Sequence, residues 1–218
     1  MPKNGTAQSV KPKRARGRPR LEARREEVLT RAAALFNSRG YAAATLEDIA
    51  TELGMTRPAL YYYAESKEAL LDQCYIWGFE KLLSLLEGKL EGGTGRERLV
   101  RFFHIYSDAV CDDSSRCFLA SETHFLSADR QQGAARRIQH INEIVSDLLE
   151  QGMADGSITP CDRRYALLVL FGSFNMLPKL YKDGGPSPRQ IGDTLIQMVL
   201  NGLIPRSGQG DATQTAVA

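Results

Sequence analysis

The sequence predicts an all-α protein: a small N-terminal helical module followed by a larger helical body. Three observations carry this. Apolar residues recur at i, i+3/i+4, i+7 from Leu21 onward, as in Val28, Leu29, Ala32, Leu35 and Phe36. Helix-capping residues stand immediately before the periodic runs, and glycine or proline stands after them. No stretch shows the sustained two-residue alternation of a half-buried strand.

The elements follow in order. The first helix runs from Leu21 to a stop at Gly40. Thr45, three residues before Asp48, is placed to cap a short second helix through Leu53, and Gly54 ends it. Thr56 is the expected cap of a third helix to about Tyr63, and Ser66 that of a fourth to about Leu86. The glycine-rich GKLEGGTG (88–95) is the strongest break in the pattern. Thr94 and Glu97 have the spacing of a capping box for a fifth helix to about Cys111. Helical pattern returns over about 115–126, and a long helix is expected from about Ala128 to Met153. TPCD (159–162) offers proline at a first helical position and starts a helix to about Tyr181. GGPSP breaks it, and a last helix spans about Pro188 to Asn201. The expected division is a basic arm (1–20), a helix-turn-helix domain (21–66), a helical body (67–205) and a polar tail (206–218), with arm and tail disordered.

Charge is unevenly distributed. Nine of the 28 basic residues and one of the 26 acidic residues lie in 1–25, so this arm carries +8 and the remainder −6. KPKRARGRPR (11–20) alone holds six basic residues. A basic arm on a mildly acidic body implies a polyanionic partner, DNA before an anionic membrane, because no amphipathic or lipidated anchor accompanies it. The four cysteines (Cys74, Cys111, Cys117, Cys161) form no CxxC pair, and no secretory leader is visible. ALLVLFGSFNML (166–177) falls short of a bilayer span. The expectation is a soluble cytoplasmic chain with no metal, no cofactor and no enzymatic activity. Its three histidines (His104, His124, His140) are scattered, and no nucleophile–base or paired-carboxylate arrangement is evident.

The block TLEDIATELGMTRPALYYYAESKEAL (45–70) reads as helix, tight turn at Gly54, helix: the spacing of a helix-turn-helix. Leu46, Ile49, Ala50 and Leu53 are the expected buried face, with Met55 pointing inward and Leu60 in the core. Thr56, Arg57, Ala59, Tyr61, Tyr62 and Tyr63 are expected to be exposed. Arg57 can donate a bidentate pair to guanine O6 and N7. Ala59 offers an apolar contact to a thymine methyl, and tyrosine hydroxyls reach phosphate oxygens. Thr45, at a helix start, and Lys67, at the start of the fourth helix, are phosphate-contact candidates.

REEVLTRAAALFNSRGYAAATLEDIATELGMTRPALYYYAESKEALL (25–71) resembles the DNA-binding domain of TetR-family transcriptional regulators. The resemblance implies operator contacts at Thr45, Arg57, Ala59, Tyr61, Tyr62, Tyr63 and Lys67. The chain departs from the family's usual pattern at Tyr63, where histidine is common, and at Ala64, where phenylalanine is common. RGRPR (16–20) is similar to an AT-hook core, which lies extended in an A·T minor groove through Arg16, Arg18 and Arg20. The alternative is a nonspecific polycation acting through counterion release.

For the body, the resemblance implies ligand binding and dimerisation, with the final two helices pairing with their copies in a second subunit. It also implies an effector pocket. The candidates for its wall are Trp77, Phe103, Tyr106, His124, Phe125, Asn142, Phe174 and Asn175. His124 and Asn175 stand out as polar residues within apolar runs. The expected function is a ligand-responsive repressor that holds a palindromic operator as a homodimer and is released by an apolar or acyl-CoA-like effector. The competing reading is a nonspecific architectural DNA-binding protein built around the basic arm.

Overall fold

A computed structural model describes residues 18–112, 121–182 and 184–202, with the side chains of 18–20, 121 and 122 excepted. Every regular element among the described residues is helical. α1 (Arg18–Arg39), α2 (Leu46–Glu52) and α3 (Arg57–Leu60) precede α4 (Lys67–Leu86) and α5 (Gly95–Cys111). A 3₁₀ turn (Ser121–Phe125) leads into α6 (Ala128–Ala154). α7 (Arg163–Phe174), α8 (Leu177–Leu180) and α9 (Pro188–Asn201) complete the body.

Local chemistry accounts for most boundaries. Thr45 accepts from Asp48 N–H while Asp48 reaches back to Thr45 N–H, a reciprocal capping box at α2. Thr94 with Glu97 and Ser187 with Gln190 do the same for α5 and α9. Ser66 caps α4 through Ala69 N–H. Gly54 takes φ +59°, the left-handed conformation that the turn between α2 and α3 requires.

Four expectations need correction. α1 begins at Arg18, three residues before Leu21, because Pro19 in a first turn forfeits only an N–H that has no intrahelical partner. α3 is one turn long, with Tyr61–Tyr63 in a following turn, and the Thr56 side chain makes no capping bond. Asp162, not Pro160, starts α7: its carboxylate accepts from Arg164 N–H at 2.9 Å. The helix expected to reach Tyr181 breaks at Asn175–Met176, because Pro178 has no N–H and its ring would meet the carbonyl of Phe174. The helical pattern at 115–120 lies outside the described residues.

Two apolar cores result. The first joins α1, α2, α3 and the N-terminal half of α4, from Val28 to Tyr75, and also takes in Leu126 from beyond the 3₁₀ turn. The second joins Phe79, Leu82 and Leu86 of α4 to α5, α6, α7, α8 and α9. α4 therefore crosses from one core to the other between Tyr75 and Phe79. α5 and α6 approach at backbone distance. A Cβ on Gly95 would lie 2.1 Å from the Gly152 nitrogen, so no other residue fits there without displacing a helix. The contact is tied down by Gly95 N–H donating to Asp155 Oδ2 (2.6 Å) and Arg96 N–H donating to Ser157 Oγ (3.1 Å).

The outer face of α7–α9 is left bare. Val169 is 51% exposed, and Met176, Leu180 and Met198 are also exposed.

Candidate nucleic-acid interface and effector cavity

The helix-turn-helix is held from beneath by Ile49, Ala50, Leu53 and Leu60, all buried, with Leu46 and Met55 packed at its edge. Above this support Thr56, Arg57, Ala59, Tyr61 and Tyr62 face solvent, as the sequence predicts. Arg57 and Tyr61 form a unit: the guanidinium donates to the Tyr61 hydroxyl at 3.2 Å and lies 5.8 Å from its ring centroid. This hydrogen bond links a base-reading group to a phosphate-seeking one, four residues apart on one face.

Three other candidates sit differently. Tyr63 is half-buried and packs on the first core, edge-on to Tyr62, so its expected full exposure is not observed. The adjacent Ala64 is 4% exposed and belongs to the first core itself. The Thr45 hydroxyl already donates to Asp48 Oδ2 at 2.6 Å, and Asp48 also pairs with Arg39 at 3.4 Å. The hydrogen bonds from Thr45, then the nearby Arg39, hold the Asp48 carboxyl below the usual carboxylate range. Lys67 lies over the Tyr41 ring, Nζ 4.2 Å from its centroid, at the base of α4. Arg16 is outside the described residues. Arg18 and Arg20 are described only as backbone, and that backbone is helical from Arg18, not extended as an AT-hook core would be.

The body grips this module at two points. Arg130 of α6 spreads its guanidinium over three carboxylates: Glu65 (3.2 Å), Glu68 (3.5 Å) and Asp72 (3.7 Å). Glu68 also accepts from Ser127 N–H at 2.8 Å, which with Arg130 lowers its pKa. Beside this cluster, Leu126 enters the first core and Phe125 packs on Tyr41 with centroids 4.8 Å apart.

In the body, α4, α5, α6 and α7 line a half-open cavity of about 750 Å³. Its wall includes Tyr75 and Phe79 of α4, Ile138 and Ile141 of α6, and Leu167 and Phe171 of α7. Tyr106, Asn142 and Asn175 line it as the sequence predicts. The Tyr106 hydroxyl donates to Asn175 Oδ1 at 2.7 Å, and burial pushes the phenol's pKa up, so it remains a donor. The other five candidates are elsewhere. Phe103 and Phe174 are fully buried against each other, centroids 4.3 Å apart, as core. Trp77 packs on the first core with Lys81 over its ring. His124 stacks on Phe125 at the surface.

Sequence reasoning missed Arg137 and Arg164, which line the cavity. A signal existed: Arg137 interrupts the apolar series Ala134, Ile138, Ile141 and Val145 on one face of α6.

A helix-turn-helix carried on an all-helical body with a cavity defines a DNA-binding regulator. Family comparisons place both halves. Residues 28–74 match "Bacterial regulatory proteins, tetR family", and residues 92–203 match "Tetracyclin repressor-like, C-terminal domain". The chain belongs to the TetR family. It is 28% identical over 195 residues to the HTH-type transcriptional repressor KstR2 of Mycolicibacterium smegmatis, covering 87% of this chain and 95% of that protein. The structure of the ketosteroid transcriptional regulator KstR2 of Mycobacterium tuberculosis superimposes with a TM-score of 0.69 at 27% identity, over 82% of this chain and 94% of the other. AibR, solved with isovaleryl coenzyme A and operator DNA, shares the fold at TM-score 0.74 and 22% identity, over 81% and 98% of the two chains. No described helix is long and apolar enough to cross a membrane, and no group of potential metal ligands occurs among the described residues.

Proposed function

We propose that this protein is a ligand-controlled transcriptional repressor of the cytoplasm. It binds a palindromic operator as a homodimer and releases it when a small-molecule effector fills the body. The observation that carries this reading is that one helix serves both sites. α6 walls the cavity from Ala134 to Asn142 and, about one turn earlier, grips the DNA-binding module through Arg130. The turn before it couples the same two places, with Thr123 at the cavity and Leu126 in the first core. An effector that fits only one tilt of α6 has different affinities for the two states of the module, which is the physical requirement for allosteric release.

In this reading residues 21–66 read DNA. Arg57 addresses a base edge, and Ala59, Tyr61, Tyr62, Lys67 and the backbone at Thr45 and Thr56 lie along the duplex. Tyr63 supports the surface more than it touches DNA, and the basic arm adds phosphate or minor-groove contacts. Residues 67–205 bind the effector and dimerise through the bare apolar face of α7–α9. A two-fold axis there places two recognition helices on successive turns of the major groove. The repressor activity named for the KstR2 relatives supports the direction of control.

The test is selection of sheared genomic DNA on the purified full-length protein, followed by sequencing. A palindromic consensus is the expected outcome. Enrichment that follows only base composition, with a steep salt dependence, would overturn the reading in favour of nonspecific binding.

A further inference from the structure

The charges inside the cavity restrict what it can hold. Among the described residues its wall contains two guanidinium groups, Arg137 and Arg164, and no carboxylate. This is not a reflection of the body's composition, since the chain beyond residue 25 has an acidic excess of six. Arg164 is answered locally: it donates to Asp162 Oδ1 at 3.1 Å and to Asp162 Oδ2 at 2.7 Å. Arg137 is not answered. It is half-buried, and among the described residues it has no acid and no hydrogen-bond acceptor.

The local sequence makes room for this cation. A helical side chain leans toward the turn before it. Four residues before Arg137 stands Gly133, and a Cβ there would lie 3.2 Å from Arg137 Nη1. The guanidinium thus lies back over a residue without a side chain, beside Ile138 and Ile141. A half-buried charge among apolar groups is costly unless an opposite charge meets it. A planar fork of donors suits a carboxylate or phosphate oxygen pair.

We infer that the effector is an anionic amphiphile. Its carboxylate or phosphate pairs with Arg137, and its apolar part lies against Phe79, Ile141, Leu167 and Phe171. This rests on the cavity being the effector site. Tyr106 and Asn175 offer a second, neutral polar group on the same wall, suited to a carbonyl or hydroxyl on the apolar part.

The test uses three probes with the same ten-carbon chain: decanoate, decanoyl coenzyme A and decanol. Affinity is measured by calorimetry on the full-length protein, and release of the selected operator is followed in parallel. At least one anionic probe should bind the wild type about tenfold or more tighter than decanol. Arg137→Gln should abolish that preference while leaving decanol affinity and the melting temperature unchanged, and Arg137→Lys should restore part of it. Preference for decanoate identifies a carboxylate as the partner of Arg137. Preference confined to decanoyl coenzyme A identifies a phosphate; either supports the inference. Equal binding of all three probes with operator release would overturn the anionic requirement while leaving the effector cavity standing. If no probe binds or releases operator, the cavity reading fails and this inference fails with it.

Discussion

Leu126 gives the sharpest test of how the body holds the DNA-binding module. It belongs to the connection between α5 and α6, yet its side chain is 4% exposed inside the first core, among residues far from it in sequence. Leu126→Ala removes three carbons from that site. Leucine-to-alanine changes in cores cost about 2–5 kcal/mol, depending on how far the site can collapse. Here the residue arrives on a turn whose Phe125 is 40% exposed, so the connection can settle inward and the lower end, about 2–3 kcal/mol, applies. For a chain of this size each kcal/mol lowers the melting temperature by about 2–4 °C, giving a fall of about 4–12 °C. Thermal unfolding followed by circular dichroism at matched protein concentration reads this directly, since association with a second copy also raises the midpoint. A loss below about 0.5 kcal/mol, the scale of an unremarkable surface change, would refute the claim that Leu126 locks the body to the module.

Other perturbations follow from the same geometry. Arg57→Ala should weaken operator binding by about 1–3 kcal/mol and relax discrimination at one base pair; equal weakening on every sequence would make Arg57 a phosphate contact instead. Removing residues 1–17 should flatten the dependence of log affinity on log salt, and an unchanged slope would take the arm off the DNA. Val169→Glu places a charge on the exposed apolar face and outside the cavity lining, so it should split the dimer in sedimentation experiments while leaving the helical content intact. Asp162 is held at a pKa of about 2, mainly by its hydrogen bonds from Arg164. A carboxyl lowered from 3.8 stabilises the fold above that value and loses the effect as pH falls toward 2. The gap in urea midpoint between wild type and Asp162→Ala should therefore be constant from pH 7 to pH 5 and shrink below about pH 4.

What could be read from the sequence was mostly what is local. Thr45 with Asp48, Thr94 with Glu97, and Ser66 before Lys67 are signals spanning three residues, and the helices start where they stand. The buried face of the helix-turn-helix was nearly as legible, because Ile49, Ala50 and Leu53 are spaced for one side of α2 and all are buried, while Leu46 is only half-buried. The start of α7 was misplaced because proline and aspartate are both initiation signals, and only the side-chain bond to Arg164 decides between Pro160 and Asp162. The cavity was the least legible part. Aromatic character does not separate Phe103 and Phe174, which are sealed in the core, from Phe79 and Phe171, which face the void. That distinction depends on how four helices approach, and no single segment encodes it.

The Gly95–Gly152 approach gives α6 unequal arms. The backbones nearly touch there, close to the C-terminal end of the long helix, so a tilt about that contact would swing the other end. At 1.5 Å of rise per residue, Ile138 on the cavity wall is about 21 Å from that contact and Arg130 about 33 Å. A ligand that pushes the wall aside by a given distance therefore carries Arg130 about 1.6 times as far. A displacement of about 1 Å at the wall becomes about 1.6 Å at the three carboxylates, enough to open contacts that are only 3.2–3.7 Å long at rest. In such a tilt the two touching glycines would act as a fulcrum, and their distance from the cavity would set the gain.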